Sequence, residues 1–77
     1  MGEQENLSKF VKEVRGKLAL TQEKFAEKIG VTFATINRWE NGKTTPSPLG
    51  LKQVQNILVD FGPEGAELLK RYFGEGK

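Results

Sequence analysis

The size and charge of this chain limit what it can be. Its 77 residues allow one domain with a modest core. It contains no cysteine and no histidine, which excludes disulfides, thiolate zinc sites and cysteine- or histidine-based nucleophilic catalysis. The formal net charge is +2, and no apolar run is long enough for a membrane span. We therefore expect a soluble, cytoplasmic protein.

The first predicted element is an amphipathic helix from Asn6, a favourable N-cap, to about Leu18. Its apolar residues recur at the spacing of one helix face. They are Leu7, Phe10, Val11, Val14 and Leu18. Residues 1–5 are polar, and we expect them to be disordered.

Two short helices with a tight turn between them come next. Thr21 is an N-cap for a helix over residues 22–29, and Thr32 is one for a helix from Phe33 to about Asn41. Gly30 ends the earlier helix, because glycine adopts the left-handed conformation at little cost. The residues predicted to face inward are Phe25, Ala26, Ile29, Ile36 and Trp39.

Two further helices complete the prediction. Ser47 and Pro48 form an N-cap followed by proline at the first helical position, and Gly62-Pro63 ends the helix that they begin. Its apolar face carries Leu51, Val54, Ile57, Leu58 and Phe61. An additional C-terminal helix over residues 63–73 carries a stripe of Ala66, Leu69, Tyr72 and Phe73, with Leu68 beside it. Residues 74–77 are expected to be a disordered tail.

The predicted fold class is therefore all-α, a compact bundle of four to five short helices. Its core unit, over residues 6–62, contains a helix-turn-helix. Ala26 lies where the two short helices cross, Gly30 forms the turn, and Ile36 fills the space between the helices. These spacings are what a tight, nearly perpendicular helix pair requires. Such a pair presents its second helix as a ridge that fits the major groove of DNA.

The same segment resembles a known family. Leu20-Thr-Gln-Glu-Lys-Phe-Ala-Glu-Lys-Ile-Gly-Val and Ile36-Asn-Arg-Trp-Glu-Asn-Gly-Lys, followed by Pro48, are similar to the lambda-repressor-like Cro and phage-repressor helix-turn-helix family, also called the xenobiotic-response-element family. The resemblance covers roughly residues 7–61. It implies a helical bundle that binds duplex DNA and that serves in repressors, in antitoxins and as a module of larger DNA-processing proteins.

The resemblance also implies roles for individual residues. Gln22 matches a glutamine that contacts a phosphate and braces the reading helix, and a first-turn amide suits an anion. Arg15 matches a buried arginine that pairs with Glu40. The predicted phosphate contacts are Gln22, Thr32, Asn41 and Lys43. The predicted structural residues are Ala26, Gly30, Ile36, Trp39, Arg15 and Glu40.

The outward positions of the reading helix are the candidate base contacts. Arg38 can form a bidentate pair with guanine, and Asn37 can do the same with adenine, while apolar groups pack on thymine methyls. The predicted base-reading residues are Phe33, Ala34, Thr35, Asn37 and Arg38. Two alternatives stay open: Phe33 folds down as a hydrophobic staple, or Arg38 is simply solvated.

We predict sequence-specific binding of double-stranded DNA and a role in transcription regulation. No nucleophile with a base, phosphate loop or metal constellation is present, so we expect no enzyme activity, no metal, no cofactor and no small-molecule ligand. The alternatives are a DNA-binding module of an antitoxin or a larger DNA-processing protein, and a protein-interaction adaptor on the same fold. A reading face without acids other than Glu40 favours DNA.

The C-terminal helix has two alternative uses. It caps the core of its own bundle, which a small domain needs, or it supplies the two-fold interface of a homodimer. The latter would place two reading helices one DNA turn apart.

Overall fold

The computed structural model describes residues 3–74, and all the regular structure in that range is helical. The helices are α1 (Glu3–Leu18), α2 (Gln22–Ile29), α3 (Phe33–Glu40), α4 (Pro48–Phe61) and α5 (Pro63–Phe73). The predicted all-α class, with a helix-turn-helix inside a small bundle, is confirmed. None of the helices described is long and apolar enough to cross a membrane.

Helix α1 begins at Glu3, so the prediction that Asn6 caps it is wrong. The residues before Asn6 are glutamate and glutamine, which have high helix propensity, and acidic residue types are favoured in a first turn. Of the segment expected to be disordered, residues 1 and 2 lie outside the described residues. In the expected tail, Gly74 is the C-cap of α5, and residues 75–77 lie outside the described part.

Local signals define the other helix boundaries. Thr21, Thr32 and Ser47 each accept, through the side-chain oxygen, a hydrogen bond of 3.1 Å from the backbone N–H three residues later. Gly30 ends α2 with a φ of 94°, and its N–H donates to the carbonyl of Ala26 at 2.8 Å. These caps satisfy backbone groups that helix ends otherwise leave without partners.

One hydrophobic core joins all five helices. Among the described residues, the largest completely enclosed side chains are Phe10, Phe25, Ile36, Leu58, Leu68, Val11, Val14 and Val54. They come from all five helices, so α2 and α3 pack against the same core as the other three. The core thereby holds α3 in a fixed orientation.

Two residues of the stripe predicted for α5, Leu69 and Tyr72, are partly buried against the core, whereas Phe73 is 40% exposed and Ala66 is also exposed. The most buried residue of the helix is instead Leu68, which was placed beside the stripe and is only 2% exposed. The reason is Gly65, where a Cβ atom would overlap the carbonyl group of Leu58. The absence of that atom lets the backbones of α4 and α5 touch, and Leu68 lies one turn further along the same face.

Aromatic packing and a polar cluster attach α5 to α1. The ring of Phe10 lies 5.3 Å from that of Tyr72 and 5.0 Å from that of Phe73, between centroids. The Tyr72 hydroxyl donates to Glu13 at 2.6 Å, and Arg71 donates to the same carboxylate at 3.1 Å. The hydrogen bond from Tyr72 is the main reason that the pKa of Glu13 lies below its usual value, and the hydrogen bond from Arg71 lowers it further. Burial of the Tyr72 hydroxyl and, to a smaller extent, its hydrogen bond to Glu13 raise the pKa of Tyr72 to about 12.

Candidate nucleic-acid interface

Helices α2 and α3 meet across a short turn and leave one face of α3 in solvent. The N–H groups of Gly30 and Val31 both donate to the Ala26 carbonyl, at 2.8 and 3.0 Å. Ala26 is 3% exposed, Ile36 is fully buried and Trp39 is 4% exposed. These three side chains fill the space where the helices cross and beneath α3. The opposite face of α3 is therefore free to contact a partner.

The predicted base-reading residues lie on this open side of α3. Phe33 is 53% exposed, so it does not fold down as a hydrophobic staple. Ala34 and Arg38 are exposed, whereas Thr35 and Asn37 are half-buried. The helix thus presents an apolar group at its start and a guanidinium near its end.

The predicted phosphate contacts flank the open side of α3. Thr32 lies before the helix, Asn41 and Lys43 lie after it, and all three are exposed. Gln22, at the start of α2, is half-buried against α3. The Thr32 and Thr35 hydroxyls are 2.9 Å apart and share a hydrogen bond.

A buried ion pair ties α1 to the end of α3. The side chain of Glu40 is 2% exposed, and that of Arg15 is 26% exposed. Arg15 donates from Nε to one carboxylate oxygen at 2.6 Å and from Nη2 to the other at 3.0 Å. Its Nη1 donates to the Leu20 carbonyl at 3.1 Å. The hydrogen bonds to Glu40 raise the pKa of Arg15, as expected for a bidentate charged pair.

A row of three amide side chains continues from Glu40 to the surface. Gln22 Nε2 donates to Glu40 Oε1 at 2.9 Å, and Asn37 Nδ2 donates to Gln22 Oε1 at 3.2 Å. Asn41 Nδ2 then donates to Asn37 Oδ1 at 3.0 Å. We call Gln22, Asn37 and Asn41 the amide chain. The resemblance implied that Gln22 braces the reading helix, and Gln22 contacts α3 through Asn37. The bond from Gln22 to Glu40 was not predicted, and only the i, i+4 spacing of the two asparagines indicated a link between Asn37 and Asn41.

The electrostatics of this side suit a polyanion. Between residues 32 and 47 the only acid is Glu40, whose charge is paired with that of Arg15. Among the described residues, no ion pair engages Arg38 or Lys43, and no group of carboxylates there is arranged to hold a metal ion. The cationic groups beside α3 therefore face solvent without an opposing acid, as a surface that contacts phosphates requires.

Comparisons with known proteins agree with this geometry. A family model described as "Helix-turn-helix" matches residues 11–58. The chain is 40% identical over 60 residues to a Type II methyltransferase, M.SsoII, of Shigella sonnei, with 74% of this chain and 15% of that protein covered. It is 39% identical over 51 residues to the Type II methyltransferase M1.ScrFI of Lactococcus lactis subsp. cremoris, with coverage of 62% and 13%.

A third relative has nearly the size of this chain. It is named an uncharacterized HTH-type transcriptional regulator of Methanothermobacter thermautotrophicus, and it is 36% identical over 59 residues, with 65% of this chain and 86% of the relative covered. The chain thus spans under a fifth of each methyltransferase and most of the regulator. No solved structure matches it significantly.

Proposed function

The chain belongs to the helix-turn-helix family, and from that premise we propose that it binds double-stranded DNA sequence-specifically, with α3 in the major groove. The observation that carries this proposal is the two-sided character of α3. One face is fixed in the core by Ile36, Trp39 and Glu40, while Phe33 and Arg38 project from the other. A helix held in this way can enter the major groove and present side chains to base edges.

Each exposed group has a chemical counterpart on DNA. The guanidinium of Arg38 matches the two acceptors of guanine, and the ring of Phe33 matches the methyl group of thymine. Lys43, Asn41 and Thr32 are exposed beside α3, which supports their assignment to phosphate contacts; such contacts position the protein without reading sequence. The pairing of Arg15 with Glu40 neutralises the one acid between residues 32 and 47.

The most direct role for such a domain is transcription regulation. The relative of similar size is named an uncharacterized HTH-type transcriptional regulator, and this chain covers 86% of its length. A second candidate role is that of a DNA-binding module in a larger DNA-processing protein. The observation that favours it is the match to two methyltransferases over only 15% and 13% of their lengths. DNA binding by α3 is common to both roles, and neither requires the chain itself to be catalytic.

Selection of bound duplexes from a random pool, followed by titration of the selected duplex, tests this proposal. We expect a consensus sequence and, for a complex with two copies of the chain, a Kd of about 10⁻⁶ to 10⁻⁸ M near physiological salt. Four to six phosphate contacts should give a log–log slope of affinity against salt of about −4 to −5. Sedimentation of the complex reports whether one or two copies bind. Absence of a consensus, or an affinity independent of salt, would contradict the proposal.

Two variants separate base contacts from phosphate contacts. Arg38→Ala should cost about 1–3 kcal/mol and relax the preference at one base pair. Lys43→Ala should weaken binding to all duplexes about equally, because phosphates carry no sequence information. A uniform loss in both variants would show that Arg38 contacts only the backbone.

A further inference from the structure

The hydrogen bonds of the amide chain have a direction that one group imposes. An ionised carboxylate can only accept hydrogen bonds, whereas an amide side chain donates at its nitrogen and accepts at its oxygen. Both oxygens of Glu40 already accept hydrogen bonds from Arg15. Any further neighbour of this carboxylate must therefore approach it with a donor.

The need for a donor at Glu40 sets the orientation of each amide in the amide chain in turn. Gln22 must turn Nε2 to Glu40, so its Oε1 faces Asn37. Asn37 must then turn Nδ2 to Gln22, so its Oδ1 faces the donating amide of Asn41. The orientation of an amide is otherwise ambiguous, since its two ends have nearly the same shape. Here one buried charge determines the orientation of three amides.

We propose that Glu40 is the positioning residue for base recognition by Asn37: acting through Gln22, it fixes the Asn37 amide in the orientation that selects adenine. This inference rests on the proposed binding of DNA. After its bonds to Gln22 and Asn41, Asn37 retains one N–H and one oxygen lone pair. Adenine offers the complementary pair in the major groove, an acceptor at N7 and a donor at N6.

Fixing the amide makes the choice of base sharper. Guanine presents acceptors at both N7 and O6, so the fixed oxygen of Asn37 would meet an acceptor there. An amide free to turn over could offer its NH₂ group to either purine. Asn37 is half-buried between Gln22 and Asn41, which holds it in place before DNA arrives. Such preorganisation reduces the cost of ordering on binding.

The variant Gln22→Met tests the proposal, because it removes the connection and leaves the Arg15–Glu40 pair intact. Asn37→Ala first identifies the base pair that Asn37 reads, as the position where the preference for adenine over guanine disappears. The wild-type chain should prefer adenine there by about 5-fold or more. Gln22→Met should lower this ratio at the same base pair, because the freed amide can also turn its NH₂ group to guanine. Since Gln22 is also a predicted phosphate contact, the measured quantity is the ratio and not the affinity.

A second variant and a matched control complete the test. Glu40→Gln should relax the same ratio, since glutamine can turn either end of its amide to Gln22. Glu23→Gln removes an exposed carboxylate next to Gln22 and should leave the ratio unchanged. Thermal melting identifies which variants are folded, and a folded Gln22→Met is sufficient for the test.

The outcomes are distinguishable from failure of DNA binding itself. Salt-dependent duplex binding with an unchanged adenine preference in folded Gln22→Met would overturn the positioning role of Glu40. An unchanged preference in Asn37→Ala would overturn adenine reading by Asn37. A wild-type chain that binds no duplex would overturn the proposed function. A lower ratio at one shared base pair in both variants supports the proposal.

Discussion

Removal of Arg15 should reduce stability far more than removal of an exposed cation. Arg15→Met keeps part of the aliphatic stem but leaves the 2%-exposed carboxylate of Glu40 with a single side-chain donor, Gln22. Breaking a buried ion pair at one partner costs about 3–5 kcal/mol. Because the Arg15 side chain is 26% exposed, water can partly replace it, and we expect about 3 kcal/mol. That is a large share of the roughly 4–12 kcal/mol available to a domain of this size.

The converse change should be milder. Glu40→Gln leaves the cation on the more exposed partner, which can turn towards water, so we expect a loss of about 1–2 kcal/mol. In the double variant Arg15→Met/Glu40→Gln no charge is stranded. Its loss should therefore be close to that of Glu40→Gln alone, which corresponds to a coupling energy of about 2–3 kcal/mol.

Urea denaturation of the four chains in this cycle measures the coupling, and thermal melting should show a fall of about 12–24 °C for Arg15→Met. Lys17→Met is the matched control, since Lys17 is exposed and its Nζ lies 4.0 Å from a carboxylate oxygen of Glu64, which is also exposed. It should change stability by no more than about 0.5 kcal/mol. If the stability losses in the cycle are additive, or if Arg15→Met and Lys17→Met lose equal stability, the Arg15–Glu40 pair is not shielded from water.

Three further predictions concern α5. Gly65→Ala should destabilise the fold by about 1–3 kcal/mol, because the added Cβ overlaps the backbone of α4. The control Gly16→Ala adds a Cβ that meets nothing within 4 Å, and it should stabilise the fold by up to about 1 kcal/mol. Equal shifts of the urea midpoint in the two variants would contradict the close contact between α4 and α5 at Gly65. Burial, followed by the hydrogen bond to Glu13, raises the pKa of Tyr72 from 10.0 to about 12, so the stability linked to its neutral hydroxyl is fully present below pH 10 and is lost between pH 10 and 12. The difference in unfolding free energy between wild type and Tyr72→Phe should therefore shrink between pH 10 and 12. A difference that stays constant over this range would contradict the raised pKa of Tyr72. A chain ending at Gly62 should show little helical circular dichroism, because it lacks α5 and with it the core residue Leu68. A truncated chain of unchanged stability would show that α5 is not needed to complete the core.

The sequence predicted well the features that depend on near neighbours. Thr21, Thr32 and Ser47 were predicted as N-caps because each places an oxygen within three residues of the N–H it accepts. Gly30 was predicted as a helix end because a left-handed φ favours glycine wherever it occurs. The apolar faces of α1 and of the helix pair followed from 3.6-residue spacing alone.

The features that were missed depend on contacts between helices. Gly65 has no side chain to contribute to an apolar pattern, so apolar periodicity placed Leu68 beside the inner face of α5 instead of at its centre, and it included Ala66, which is exposed. The resemblance implied that Gln22 braces α3, but the bond from Gln22 to Glu40 was missed. It spans 18 residues of sequence and depends on the crossing of α2 over α3, which no local pattern of residues records.

The central claim is that α3 is the DNA-contacting element. Titration of the ¹⁵N-labelled chain with its selected duplex, followed through the backbone amide resonances, tests it most directly. The largest shifts are predicted for residues 33–43 and for the start of α2, with small shifts in α5. Shifts confined to α4 and α5, with the resonances of α3 unchanged, would contradict it.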